Sequence, residues 1–252
     1  MCTVTYLPIS SGGYILTTNR DESPKRAEVD FPYAQQVYGK EIIFPRDGES
    51  GGTWIGTTDF GVTAVIMNGA HAPHTRKPPY RMSRGLVLLE ALECIRPYEF
   101  IRNFDFEGIE PFTLLLLYPD PEQVILEFRW DGEKPWHKFH HPNVPHIWAS
   151  HMLYDEQAIG LRQTWFADWL AEKPEFSQET IMKFHTEAGS EDPWNGMRMN
   201  RKNMVATIST TSVLMTPEVS LIKYHDYRTG ERPEVAFQQL PSSMYAFVYD
   251  QN

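Results

Sequence analysis

Along most of the chain, apolar residues alternate with polar ones or run in short blocks, which is the pattern of strands rather than of long helices. Strands are expected at 3–7, 14–18, 41–44, 62–67, 112–118, 124–130, 205–215, 221–225 and 245–249. Turn chemistry separates several of them: Ser10-Ser11-Gly12-Gly13, Pro119-Asp120-Pro121 and Asp131-Gly132. Two segments switch to a helical period. One opens at Ser83 as N-cap, carries Leu86, Leu89, Leu92 and Ile95, and stops before Pro97. The other begins near Asp155 and turns Ile159, Trp165, Phe166, Trp169 and Leu170 toward a core. A shorter helix follows Ser177. Runs of strands with a few helices between them imply an α+β fold with antiparallel sheets. No repeat, low-complexity tract or linker breaks the pattern, so 1–252 is expected to form a single domain.

Composition narrows the partners. A formal net charge of -10 disfavours nucleic acid and anionic membrane as general partners. The longest aliphatic run, 114–117, is far too short to span a bilayer, and no signal peptide is expected in the first thirty residues. Two cysteines, Cys2 and Cys94, make no disulfide framework, and a cytoplasmic protein is the simplest expectation. The histidines cluster at His71/His74, His137/His140/His141 and His146/His151 without the spacing of a zinc site. There is no P-loop and no dinucleotide fingerprint, so neither a metal nor a cofactor is expected; the partner is expected to be a small molecule.

The chemistry concentrates at the start. Removal of Met1 would leave Cys2 with both a thiol and a free α-amine. The amine's reference pKa, roughly 7.7–8.0, lets it act as a base near neutrality, and a thiol is the most nucleophilic of the common side chains. Position alone also suits an inert cysteine in a first strand. If 3–7 and 14–18 pair about the turn at Ser11-Gly12, Cys2 lies opposite Asn19, Arg20 or Asp21. A carboxylate there orients the ammonium or thiol, and a guanidinium favours thiolate and a developing oxyanion.

Met1-Cys2 followed by Asn19-Arg20-Asp21-Glu22 resembles the NRDE-domain family, also called the transport and Golgi organisation family. The resemblance continues through Gly51-Gly52-Thr53-Trp54-Ile55-Gly56, the stretch 61–68 and Ser83-Arg84-Gly85; it is weaker over 145–225. The family in turn looks like the N-terminal-nucleophile hydrolases of the bile-salt and penicillin V acylase branch. That likeness implies a four-layer αββα sandwich with two antiparallel sheets and hydrolysis of a non-peptide C–N amide. It also implies catalytic roles for Cys2, Arg20 and Asp21, with Asn68 as oxyanion donor. Asn68-Gly69 is equally a turn signal. Two positions depart from the family pattern. Ser150-His151 stands where Ser-Asn is usual, and Thr207-Ile208-Ser209-Thr210-Thr211 replaces Thr-Arg-x-x-Thr, so that Ile208 supplies no guanidinium.

Asn19, Trp54, Arg81, Arg84 and His151 are the candidates for contact with a ligand. Trp54 ends a tight glycine loop that leads it to a core or a pocket rim. Arg76, Lys77, Arg81 and Arg84 run into a helix N-terminus, which is either a solvated basic loop or an anion site. Two functions remain open: a cysteine amidohydrolase acting on an acylated small molecule, and a non-catalytic binding or transfer protein for a hydrophobic anion. The family resemblance brings haem, acyl-lipid and acyl-CoA in as ligands for the second.

Overall fold

Four successive leucines show how the chain is layered. In β7 (Phe112–Asp120), Leu114 and Leu116 face a core shared with helices, while Leu115 and Leu117 face a core between two sheets. A strand covered on both faces reads as an unbroken apolar run, because its period-two side chains are all buried. The computed structural model describes residues 3–10, 12–94, 97–120 and 122–240. The expected strand at 245–249 lies outside the described residues.

One sheet has the order β10 (His146–Ala149), β1 (Thr3–Pro8), β2 (Tyr14–Glu22), β12 (Val205–Met215), β13 (Ser220–Asp226), β14 (Glu234–Phe237), with β11 (Asn200–Arg201) paired to β12. The other runs β3 (Val29–Val37), β4 (Lys40–Asp47), β5 (Ile55–Thr58), β6 (Thr63–Asn68), β7, β8 (Glu122–Trp130), β9 (Pro135–His140). Neighbouring strands in both sheets pair antiparallel. Helix α1 (Arg84–Glu93) and α2 (Pro97–Asn103) pack on the second sheet, and α3 (Glu156–Ala171) and α4 (Gln178–Glu187) on the first. Three apolar cores follow: helix on sheet, sheet on sheet and sheet on helix. This is the αββα sandwich that the family resemblance implies.

The β1–β2 hairpin pairs Val4 with Thr18 and Pro8 with Tyr14, the expected register. Ser83 caps α1, its hydroxyl accepting from the Leu86 N–H at 3.3 Å. Helix α1 ends at Glu93, before Pro97 as expected, while Ile95 lies outside the described residues; Pro97, with no N–H to lose, opens a second helix, α2. Two motif pieces meet in one contact. A Cβ on Gly52 would lie 2.5 Å from the Gly85 carbonyl carbon, and the Thr53 N–H donates to the Gly85 carbonyl at 3.2 Å. The glycines let the loop before Trp54 lie directly on the first turn of α1. A β-bulge interrupts the β2–β12 ladder: Thr207 opposes Asp21 and Ser209 opposes Arg20, so Ile208 has no partner in β2. Among the described residues, no helix is long and apolar enough to cross a membrane.

Candidate functional site

Strand alternation sends consecutive residues of β2 to opposite faces. Arg20 projects into the space between the sheets, its guanidinium 4.1 Å from the Trp54 ring centroid and ion-paired with Asp47. Asp47 also accepts from Arg26 at 2.9 and 3.1 Å and from the Ser50 N–H and hydroxyl at 2.7 and 2.8 Å. Burial pushes the Asp47 carboxyl up, but the hydrogen bonds from Arg26 and Ser50 and the charge of Arg20 outweigh it and hold it well below the usual carboxylate range. Among the described residues, Arg20 Nη1 and Trp54 Nε1 are buried donors without a partner.

Asp21 points the other way, under α3, and is fully buried. It accepts from the Tyr154 phenol and, at 2.5 Å, from the Thr207 hydroxyl. Burial raises its pKa above the ordinary value against the pull of those bonds. Arg162, also fully buried, lies 3.7 Å from the Tyr154 ring centroid and donates to the Thr3 hydroxyl at 3.1 Å. Its other nitrogens donate to the carbonyls of Ala158 and Gly196 at 3.2 and 3.1 Å. A buried polar network therefore joins Asp21 to the first residue of β1.

The other flank of β1 is β10, with Thr3 opposite Ala149. The next residue, Ser150, donates its hydroxyl to the Asn68 carbonyl at 2.7 Å and so ties the end of β10 to the end of β6. Asn68 is half-buried, and among the described residues its side-chain amide has no hydrogen-bond partner. Gly69 follows with φ +83°, so the position is both a strand end and a turn. His151 accepts at Nε2 from Arg129 Nη1 at 3.2 Å. Arg129 is in turn paired with buried Glu127, which also takes bonds from His140 at 2.6 Å and Trp148 at 3.2 Å. The start of β1 is thus flanked by Arg20 and Asp21 on one side and by Asn68 and Ser150-His151 on the other. Cys2 itself lies outside the described residues.

Three expected ligand contacts are placed otherwise. Asn19 has no solvent-exposed surface and its amide is fully engaged within the protein. It donates to the carbonyls of His185 and Met197 at 3.0 and 2.7 Å and accepts from Thr210 and His185 Nδ1 at 2.6 and 3.1 Å. It is a peg joining β2, β12 and α4, with nothing left for a ligand. Arg81 clamps the 104–108 turn, donating to the carbonyls of Glu107, at 3.0 Å, and Asp105. Arg84 pairs with Glu110 at 3.2 Å, as do Arg76 and His74 at the same distance, so one buried carboxylate gathers the basic loop. At the first turn of α1 the Ser83 hydroxyl accepts from the Leu86 N–H, and the guanidinium groups of Arg81 and Arg84 are held by the protein's own acceptors.

Tyr154 and Arg162 carried no signal in the sequence; Thr207 opens the stretch that matches the family's Thr-Arg-x-x-Thr pattern, and Asp47, of the Arg46-Asp47 pair just before the glycine loop, pairs with Arg20 of the first hairpin.

Sandwich, topology and hairpin together define an N-terminal-nucleophile-hydrolase-like fold. Solved structures share it at low identity. Conjugated bile acid hydrolase from Clostridium perfringens matches with TM-score 0.57 and 10% identity, over 93% of this chain and 92% of that one. The Caenorhabditis elegans ortholog of N-acylethanolamine-hydrolyzing acid amidase matches at 0.56 and 13%, over 84% and 92%. Penicillin V acylase from Agrobacterium tumefaciens matches at 0.53 and 12%, over 93% and 86%. Residues 1–212 match the family Transport and Golgi organisation 2, and the chain belongs to it. No curated protein sequence matches the chain.

Proposed function

We propose that the protein is a cysteine N-terminal-nucleophile amidohydrolase that cleaves a non-peptide C–N amide of an acylated small molecule. The observation that carries this reading is the hairpin: β2 presents Arg20 and a buried Asp21 beside the strand that Cys2 precedes. The fold likeness to structures named as acyl-amide hydrolases supports it. After Met1 is removed, the Cys2 thiol attacks the amide carbonyl and its proton passes to the α-amine. The ammonium returns that proton to the departing nitrogen, leaving a thioester. Water then attacks the thioester, the amine takes the water's proton, and the acid leaves with the thiol restored. Asn68 donates to the oxyanion, and Arg20 stabilises the developing charge. Asp21, whose buried charge favours a cationic neighbour, orients the ammonium.

A second reading is supported by Ile208, a buried apolar residue where the family pattern has a guanidinium. It is a binding or transfer protein for a hydrophobic anion such as haem, an acyl-lipid or acyl-CoA. Intact mass spectrometry before and after incubation with a panel of N-acyl amides separates the two. The amidase reading expects loss of Met1, a transient acyl adduct at Cys2 and released acid, all abolished or weakened in Cys2→Ser. Retained Met1, or no adduct and no acid with any amide, would overturn it. Tight haem or acyl-CoA binding lost in Cys2→Ser would then establish the second.

A further inference from the structure

A cleft of about 390 Å³ opens between the 151–157 segment and the 194–201 segment, and Arg201 lies across it. Its guanidinium donates to the carbonyls of Leu153 at 2.9 Å and Trp194 at 3.0 Å and to Asn195 Oδ1 at 3.4 Å, bonds that fix it to both walls. Those bonds use three of its five N–H groups. Among the described residues, no carboxylate lies within ion-pair distance, although the chain as a whole carries a net charge of -10. Asp155, the one acid lining the cleft among the described residues, accepts from the Ala158 N–H at 2.8 Å as the N-cap of α3.

The other polar side chains of the lining carry no formal negative charge, and Asn195 Oδ1 is taken by Arg201. Burial and the nearby Arg129 charge hold the pKa of His151 below its ordinary value, so the ring is neutral at pH 7. Because Nε2 accepts from Arg129, the ring proton is on Nδ1, leaving that N–H as a donor. Gln157 is exposed, and its amide has no hydrogen-bond partner among the described residues. Trp194 is 45% exposed, with the Arg201 guanidinium 5.4 Å from its ring centroid. Tyr154 forms part of the floor, and its hydroxyl holds Asp21, so the cleft abuts the candidate catalytic network.

We propose that this cleft is a subsite for a carboxylate carried by the amide substrate, with Arg201 as its anchor, His151 and Gln157 as neutral donors, and Trp194 covering the adjoining apolar part. A pinned guanidinium binds an anion without the entropy cost of ordering a long side chain. The subsite rests on the amidohydrolase reading for its place in a reaction, but it is tested by binding alone.

The probes are N-dodecanoylglycine and N-dodecanoylethanolamine, which share an acyl amide and differ in the carboxylate. Calorimetric titration into full-length Cys2→Ser protein keeps turnover out of the measurement. The glycine conjugate is expected to bind about tenfold or more tighter, the size of one charge-assisted hydrogen bond. Arg201→Gln should reduce the preference to within about threefold, and Arg201→Lys should fall between. Gln157→Glu removes no contact to a described residue and places a negative charge in the cleft. It should weaken the glycine conjugate about threefold or more. Equal affinity for the two probes, no binding of either, or a preference that survives both Arg201→Gln and Gln157→Glu would overturn the subsite. A carboxylate preference without hydrolysis of any amide by wild type would leave the subsite standing and remove the amidase; hydrolysis without the preference would do the reverse.

Discussion

Tyr154 and Asp21, 133 residues apart, are joined by a hydrogen bond in which the phenol donates to a carboxylate with no exposed surface. Neither group is tolerable alone at that depth. An unpaired buried carboxylate is costly, and an unpaired phenol loses its water without a replacement.

Tyr154→Phe should therefore destabilise the protein by about 1–3 kcal/mol, the cost of leaving a buried polar partner underbonded. Urea titration at pH 7 measures it. The sign of its pH dependence follows from the raised pKa of Asp21. Above the unfolded value the unfolded chain binds fewer protons than the folded one, so this group's contribution falls as pH rises through that window. Loss of the phenol's bond widens the window. Tyr154→Phe should accordingly recover part of its lost stability on mild acidification, and a deficit that is constant from pH 7 down to the usual carboxylate range would show that Asp21 is not its cause.

Gly52 and Gly160 make a matched pair. A methyl at Gly52 meets the backbone of Gly85 at 2.5 Å, whereas one at Gly160, inside α3, meets nothing within 4 Å. Gly52→Ala should cost about 1–3 kcal/mol through overpacking against main chain that has no flexible end to move aside. Gly160→Ala should gain about 0.5–1 kcal/mol from helix propensity and a less flexible unfolded chain. Thermal melts of the two proteins should therefore shift in opposite directions. A neutral Gly52→Ala would show that the loop and the first turn of α1 separate easily.

Acid should lower the stability of the protein over two overlapping windows of pH. Burial, followed by the charge of Arg162, lowers the pKa of His185 from 6.5 to about 3. Between those values the unfolded chain holds a proton that the folded chain refuses, so stability falls as pH drops. For Glu127, burial opposes but is outweighed by the hydrogen bond from His140 and the charge of Arg129, and the pKa falls from 4.5 to about 2. Its contribution is present above 4.5 and lost below, toward 2. His185→Gln should flatten the stability curve in the upper window while keeping the lower limb. Denaturant midpoints taken every half unit would reveal it, and an unchanged upper limb would rule out His185 as the source.

What the sequence made legible was local. The hairpin register follows from one glycine turn between two apolar runs, and the Ser83 cap from a hydroxyl three residues before an apolar helix position. The layered sandwich came from the family resemblance. Strand β3 was invisible because Pro32 lies inside it and every second residue is exposed, as suits the edge of a sheet. Strand β9 hid for a similar reason: five of its six residues are exposed, so no hydrophobic period marks it. The polar network beneath β1 was beyond reach for another cause. Arg162 sits in a helix of low amphipathic contrast, and its partner Thr3 is 159 residues away. Spacing along a chain carries no information about such a pair. Asn19 misled in the opposite sense: it belongs to the signature run, yet its amide holds the scaffold together.

The bulge at Ile208 also bears on how this chain can vary. Every other residue of β12 from Ala206 to Met215 is matched to a residue of β2, so its facing and its neighbours are dictated by the ladder. Position 208 is exempt. Its carbonyl is anchored by the Tyr227 N–H at 2.9 Å, but its side chain answers to no cross-strand partner. Substitution there can proceed without renegotiating the pairing that holds Arg20 and Asp21 in place. The fold thereby sets a paired frame on either side of one position that the ladder itself does not specify.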